Sequence, residues 1–252
     1  MEFSEHRDLD KVEKALSDLS DLVEKLCGNG SVDAVERLLR LGAVNDINVA
    51  FKAAIEGCNL DVADMLLKRG ANVNENDCSL LRDVAKKTDN AVILEYLVEH
   101  GANKERAALL LASDGEKKAL ENLLNSGLVD VNAQTKEGGF APLMGAVVGA
   151  IDTQNTDTLK YLIERGANPD LLDNEGRKAV DFMKGIEHRA EHIVKDIEDI
   201  IKRAPQIRAD YLKTHPEDKR ELSDFLSASG HRIEKNRNVD SAVITALNKK
   251  IR

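Results

Sequence analysis

Residues Leu66–Asn74 read LLKRGANVN, and worn copies of this stretch recur along the chain. They stand at Leu38–Asp46 (LLRLGAVND), Tyr96–Lys104 (YLVEHGANK), Leu123–Asn132 (LLNSGLVDVN) and Tyr161–Pro169 (YLIERGANP). Each joins an apolar helix end to a glycine, at position 42, 70, 101, 127 or 166. The spacings are 28, 31, 26 and 39, with a mean of 31. Self-similarity at such a period marks stacked supersecondary units, none of which buries its apolar face alone. Glycine suits the helix end because the closing residue adopts a left-handed backbone there.

Outward from these glycines the pattern resolves into helix pairs. Val32–Leu39 and Leu60–Leu67 read as second helices of their units, and Lys52–Gly57 as the end of a first helix. The third unit uses Leu80, Leu81, Val84 and Ala85, then Val92 to Leu97; the fourth uses Leu109 to Ala112, then Ala119 to Leu124. Ala141-Pro142-Leu143-Met144 opens the fifth, with Pro at a first helical position where a missing N–H costs nothing. Ala141 stands where a capping hydroxyl would be worth about 1 kcal/mol. Ile151–Thr156 is expected to enlarge the next turn, and Asp173–Val180 to open a sixth, terminal unit.

These residues resemble the ankyrin repeat. Lys52–Gly57 is similar to the family's LAAxxG, Leu60–Leu67 to LEVVKLLL, Ala141–Met144 to TPLH, and Asp173–Val180 to DxxGxTPL without the proline. The resemblance implies an all-α, ankyrin-type solenoid of about five to six helix-turn-helix repeats, plus C-terminal helices. Its hairpins should be short or missing. Gly42 to Ala50, Gly70 to Leu80 and Gly101 to Ala108 span only 8, 10 and 7 residues, too few for a two-stranded finger. Fingers are therefore expected only after the fourth and fifth repeats, with Gly138-Gly139 as turn residues of the first. The domain reading is an N-terminal helical cap at 1–16, a repeat domain at 17–184 and a helical extension at 185–252.

At the N-terminus, Leu9, Val12, Leu16, Leu19, Val23 and Leu26 form a helical apolar stripe. It reads as a cap running into the first repeat, since solenoid ends need covering; self-association through the stripe is the alternative. Beyond Met183 the period stops. A strong amphipathic helix follows, ending near Ala204-Pro205, then shorter ones around 206–213, 217–228 and 239–251.

Composition narrows the function. Aromatic content is 3%, with no Trp, which suits thin layers filled by Leu, Ala, Val and Ile. The net charge is −9. Residues 201–252 carry 12 basic against 7 acidic side chains, while residues 1–200 carry 24 against 38. An acidic repeat body repels phosphate, and the basic end lacks aromatics, so nucleic acid is not expected as a partner. Nor is a membrane, since no apolar segment reaches spanning length. Cys27, Cys58 and Cys78 are odd in number, with no CxxC, so they read as buried or half-buried thiols in reducing surroundings. The N-terminus shows no leader pattern, so the expected location is cytoplasmic, or the host-cell cytosol if the chain is a secreted effector.

No nucleotide-binding or nucleophile motif is present, so neither a cofactor nor catalysis is expected. His188-Arg189-Ala190-Glu191-His192 matches a zinc-site pattern, HxxEH; the competing reading is a solvated helix face. No metal is expected. Asn74 and Asn132 resemble family asparagines that some hydroxylases modify; their weightier reading is as braces of the loop between repeats. The resemblance implies a non-catalytic module binding another protein on its loops and inner helices, the expected carriers being Asn76, Asp77, Arg82, Lys104, Arg106, Lys136, Glu137 and Asn174. The chain is expected to be a monomer. The alternative function is a bacterial effector whose tail holds an activity and whose repeats choose the target.

Overall fold

The computed structural model describes residues 18–87, 91–185 and 190–218. The backbone divides into two compact units, 1–199 and 200–252. The expected cap at 1–16, His188 and nearly all of the two last expected helices lie outside the described residues.

The first unit is a row of helix pairs. Helix α1 is described over 18–29 and is followed by α2 (Val32–Arg40). The second pair is α3 (Ile47–Glu56) and α4 (Leu60–Lys68); the third is α5 (Glu75–Ala85) and α6 (Ala91–Glu99). The fourth is α7 (Lys104–Ser113) and α8 (Lys117–Asn125); the fifth is α9 (Pro142–Thr153) and α10 (Asp157–Glu164). A short 3-10 turn at Ala179–Met183 takes the place of the sixth unit's first helix. Helix α11 (Glu191–Lys202) crosses the boundary between the units, and α12 (Ala204–Thr214) belongs to the second. No strand occurs among the described residues.

The motif glycines perform the expected closure. Gly70 has φ 99°. Its N–H bonds to Leu67 O at 3.0 Å and that of Ala71 to Leu66 O at 3.0 Å, the double bond that satisfies orphan carbonyls at a helix end. Between the layers lie leucines and isoleucines with almost no exposure, among them Leu66, Leu81, Leu97, Leu120, Leu143 and Leu162. Burial of each such side chain contributes about 1.5–3 kcal/mol.

Three features differ from expectation. The turn between α3 and α4, which holds one residue more than the repeat pattern needs, is made by Gly57 and Cys58. Gly57 has φ −83°, so its missing side chain serves packing: a Cβ there would lie 2.3 Å from Gly28 O. Cys58 then takes the left-handed turn with φ 55°, where the α7–α8 turn uses Gly115 at φ 72°. Cys58 is exposed, so only Cys27 and Cys78 are the buried thiols expected, and burial pushes both of them up in pKa. Cys58→Gly relieves a backbone conformation that costs an L-residue roughly 1–2 kcal/mol, less the entropy glycine adds to the unfolded chain. A gain of about 0.5–1 kcal/mol in a urea melt is expected; a loss would show that the thiol itself is needed.

The second difference is in the fifth repeat. Ile151, Asp152 and Thr153 continue helix α9, and Gln154 at φ 55° ends it, so the inserted residues lengthen a helix more than they enlarge a turn. The third concerns the fingers. The loop after α8 closes through Thr135 N to Phe140 O at 3.0 Å and Gly139 N to Thr135 O at 3.1 Å. The Thr135 hydroxyl donates to Glu137 O and accepts from Phe140 N, which uses up the groups a strand ladder would need. The finger is thus a hydrogen-bonded turn. Ala141 has no capping bond, as expected, and its N–H meets Met144 Sδ at 3.4 Å.

Candidate functional site

The loops are joined by a repeated asparagine brace. Asn74 Nδ2 donates to Gly101 O at 2.9 Å, and its Oδ1 accepts from Asn103 N at 2.7 Å. Asn132 does the same two boundaries further on, to Gly166 O at 3.3 Å and from Asn168 N at 2.7 Å. Asn48 supplies a third, partial version, accepting from Asn72 N at 2.7 Å while its amide donates to Glu75 at 2.7 Å. Each brace is aimed by an Asx turn: Asp46 to Asn48 N, Asn72 to Asn74 N, Asp130 to Asn132 N. Asn48 was missed from sequence, although Asp46-x-Asn48 repeats the Asn72-x-Asn74 and Asp130-x-Asn132 spacing.

A second set of contacts links neighbouring repeats through charge. Lys52 pairs with Asp83 at 3.3 Å, Lys86 with Glu116 at 3.2 Å and Asp77 with Arg106 at 3.4 Å, and Arg82 pairs with Asp114. On the second helices Glu36 meets Arg69 at 2.8 Å, and Asp64 meets His100 at 3.4 Å. Asp64 also accepts from Tyr96 Oη at 2.6 Å; desolvation first, then that bond and the nearby carboxylate charge, push the phenol up. Most of these side chains are half exposed, so each pair is worth 0–1 kcal/mol and chiefly fixes register.

Three of the eight candidate residues therefore face one another or a neighbouring repeat: Asp77 with Arg106, and Arg82 with Asp114. Arg82 also has a buried Nε without a hydrogen-bond partner. Asn76, Asp77 and Cys78 have φ of 49°, 55° and 61°, a left-handed turn built without glycine. Asn76 and Asp77 are exposed on it, and Lys104 opens α7 two residues before Arg106.

The remaining three gather on the paired loops after α8 and α10. Lys136, Glu137 and Asn174 are exposed. Asn174 N donates to Gly138 O at 2.9 Å, and Gln134 Nε2 bridges Gly139 O and Leu172 O at 2.6 and 2.7 Å. Behind them Asp173 is buried, accepting from Glu175 N, Arg177 N and Arg177 Nε at 2.8–2.9 Å. Burial raises this carboxyl, but the Arg177 and Glu175 bonds outweigh it and hold it below the usual range. The Arg177 guanidinium lies 4.8 Å from the Phe182 ring and 5.9 Å from Phe140, which pins the two loops together.

Of the HxxEH pattern, Glu191 and His192 are exposed and His192 pairs with Asp196 at 3.2 Å. Among the described residues no cluster of His, Cys, Asp and Glu could hold a metal, and no helix is long and apolar enough to cross a membrane.

Comparison with known proteins bears on this geometry. The family model for the ankyrin repeat matches residues 138–174, the span from one paired loop to the next. Alpha-latrocrustotoxin-Lt1a of Latrodectus tredecimguttatus is 26% identical over 133 residues, covering 49% of this chain; the chain spans about 9% of that toxin. A solved ankyrin repeat protein, EF0377, is 20% identical at a TM-score of 0.39, over 70% of this chain and 96% of its own. The matched repeat at 138–174 is preceded by further helix pairs with the same glycine closure and by the braces at Asn74 and Asn132, so the described fold is an all-α solenoid of the ankyrin-repeat type.

Proposed function

We propose that the chain is a non-catalytic module that holds another protein, neither nucleic acid nor membrane, on its repeat loops and first helices. Asn76, Asp77, Arg82, Lys104, Arg106, Lys136, Glu137 and Asn174 carry that contact. The module acts as a monomer in the cytoplasm, with 1–16 as cap, 17–184 as repeats and 185–252 as a helical extension. The observation that carries the reading is the anchoring of Lys136, Glu137 and Asn174. Their backbone is tied between repeats by Asn174 N to Gly138 O and by Gln134, so exposed side chains stand on a fixed frame. A pre-ordered surface loses less entropy when a partner arrives.

The test is affinity purification with the full chain and with a Lys136→Glu/Glu137→Lys/Asn174→Ala variant. All three side chains are exposed, so the variant's Tm should match the parent within about 2 °C. A protein enriched by the parent and lost with the variant is the expected outcome. Identical recoveries from both would remove these three residues from the contact.

A further inference from the structure

We propose that a groove at the start of the stack is a second, separate docking surface, whose occupant is a basic amphipathic helix of a partner protein. The groove holds about 110 Å³ and lies between α1 and the segment that leads into α3. Leu19, Val23, Ala43, Val44, Val49 and Ala50 form its apolar wall, and Ser20, Glu24, Asn45 and Asp46 a polar one of similar extent. Leu19 is 39% exposed and Val49 44% exposed, values that large aliphatic side chains reach where packing is incomplete.

Charge selects the occupant. The only charged groups lining the groove are Glu24 and Asp46, with no Lys or Arg among its walls. Asp46 keeps one oxygen, Oδ1, on the N–H groups of Asn48 and Val49, which fixes its carboxylate at the rim. An apolar wall facing two carboxylates fits a helix that lays leucine-like side chains on the wall and lysine or arginine against Glu24 and Asp46.

The probe is a fluorescein-labelled synthetic helix of leucine and lysine, titrated into the full chain and followed by anisotropy. The informative variant is Val49→Glu. It fills the slot with a carboxylate, yet it makes the protein more acidic. Seating in the groove is therefore weakened by about tenfold or more, whereas general adhesion of a cationic peptide to an acidic protein is unchanged or strengthened. Glu24→Lys should weaken binding similarly. A peptide with serine in place of leucine should not bind. Equal or tighter binding to Val49→Glu overturns the proposal. So does tighter binding after deletion of residues 2–17, which makes the chain's own N-terminal segment the occupant. A dimer mass by light scattering that Val49→Glu returns to monomer overturns it in favour of a second copy.

Discussion

Gly149→Ala should destabilise the protein by about 2–3 kcal/mol, the opposite of what helix propensity demands. Gly145 and Gly149 lie one turn apart in the interior of α9, both buried. In an isolated helix, alanine in place of either would gain up to about 1 kcal/mol. In the stack, a Cβ on Gly149 would stand 2.3 Å from Ser113 O and 3.0 Å from Ala112 O. On Gly145 it would meet Leu109 O at 2.5 Å. The obstructing atoms are backbone of α7, so no rotamer change relieves them and the helices must separate. Parting them opens space around Leu111 and Leu143, which are almost wholly buried. Thermal melts should show Tm lowered by about 4–12 °C for Gly149→Ala. Gly42→Ala is the control: nothing lies within 4 Å of its Cβ, so only the backbone strain at φ 68° remains, about 1 kcal/mol. A Gly149→Ala protein as stable as the parent would mean that α7 and α9 are further apart than described.

How much of this was open to sequence reasoning depends on whether a feature leaves a local chemical trace. The closing glycines do, since a left-handed helix end selects glycine, and all five were read with their helices. The braces at Asn74 and Asn132 do, through the repeated VN. The α7–α9 contact was only half visible: Gly145 and Gly149 stand four apart, but small residues four apart in a helix have several meanings, and the partner carbonyl comes from thirty-six residues earlier. The turn at Asn76–Cys78 left no trace, because three consecutive left-handed residues without glycine defy local preference and are held by the neighbouring repeat, with Asp77 facing Arg106. The ion pairs were invisible for another reason. The chain has 81 charged residues, and choosing Arg82 with Asp114 or Lys86 with Glu116 requires the stacking offset between repeats. The candidate site shares that limit: surface residues were nameable, but that Asp77, Arg82 and Arg106 spend their charge on adjacent repeats follows only from packing.

Asn74→Ala should cost about 1–3 kcal/mol and change the shape of the unfolding curve as well as its midpoint. The side chain holds two backbone groups of the next repeat, the Gly101 carbonyl and the Asn103 N–H. Alanine leaves the part-buried Asn103 N–H without that partner, which costs about 1–3 kcal/mol, while the exposed Gly101 carbonyl turns to water at little cost. Aspartate is an informative second variant. It retains the acceptor for Asn103 N–H but turns a carboxylate oxygen toward the Gly101 carbonyl, so it should recover little. Because a repeat stack is stabilised by each unit and by each boundary, weakening one boundary uncouples the repeats on either side. Urea melts of Asn74→Ala should therefore broaden, the first repeats opening before the rest, while Asn132→Ala divides the stack further along. The two changes lie at different boundaries and share no partner, so their losses should add in the double variant within about 0.5 kcal/mol. An Asn74→Ala protein that melts sharply at the parent's midpoint would show that the glycine closures and buried leucines alone hold adjacent repeats together.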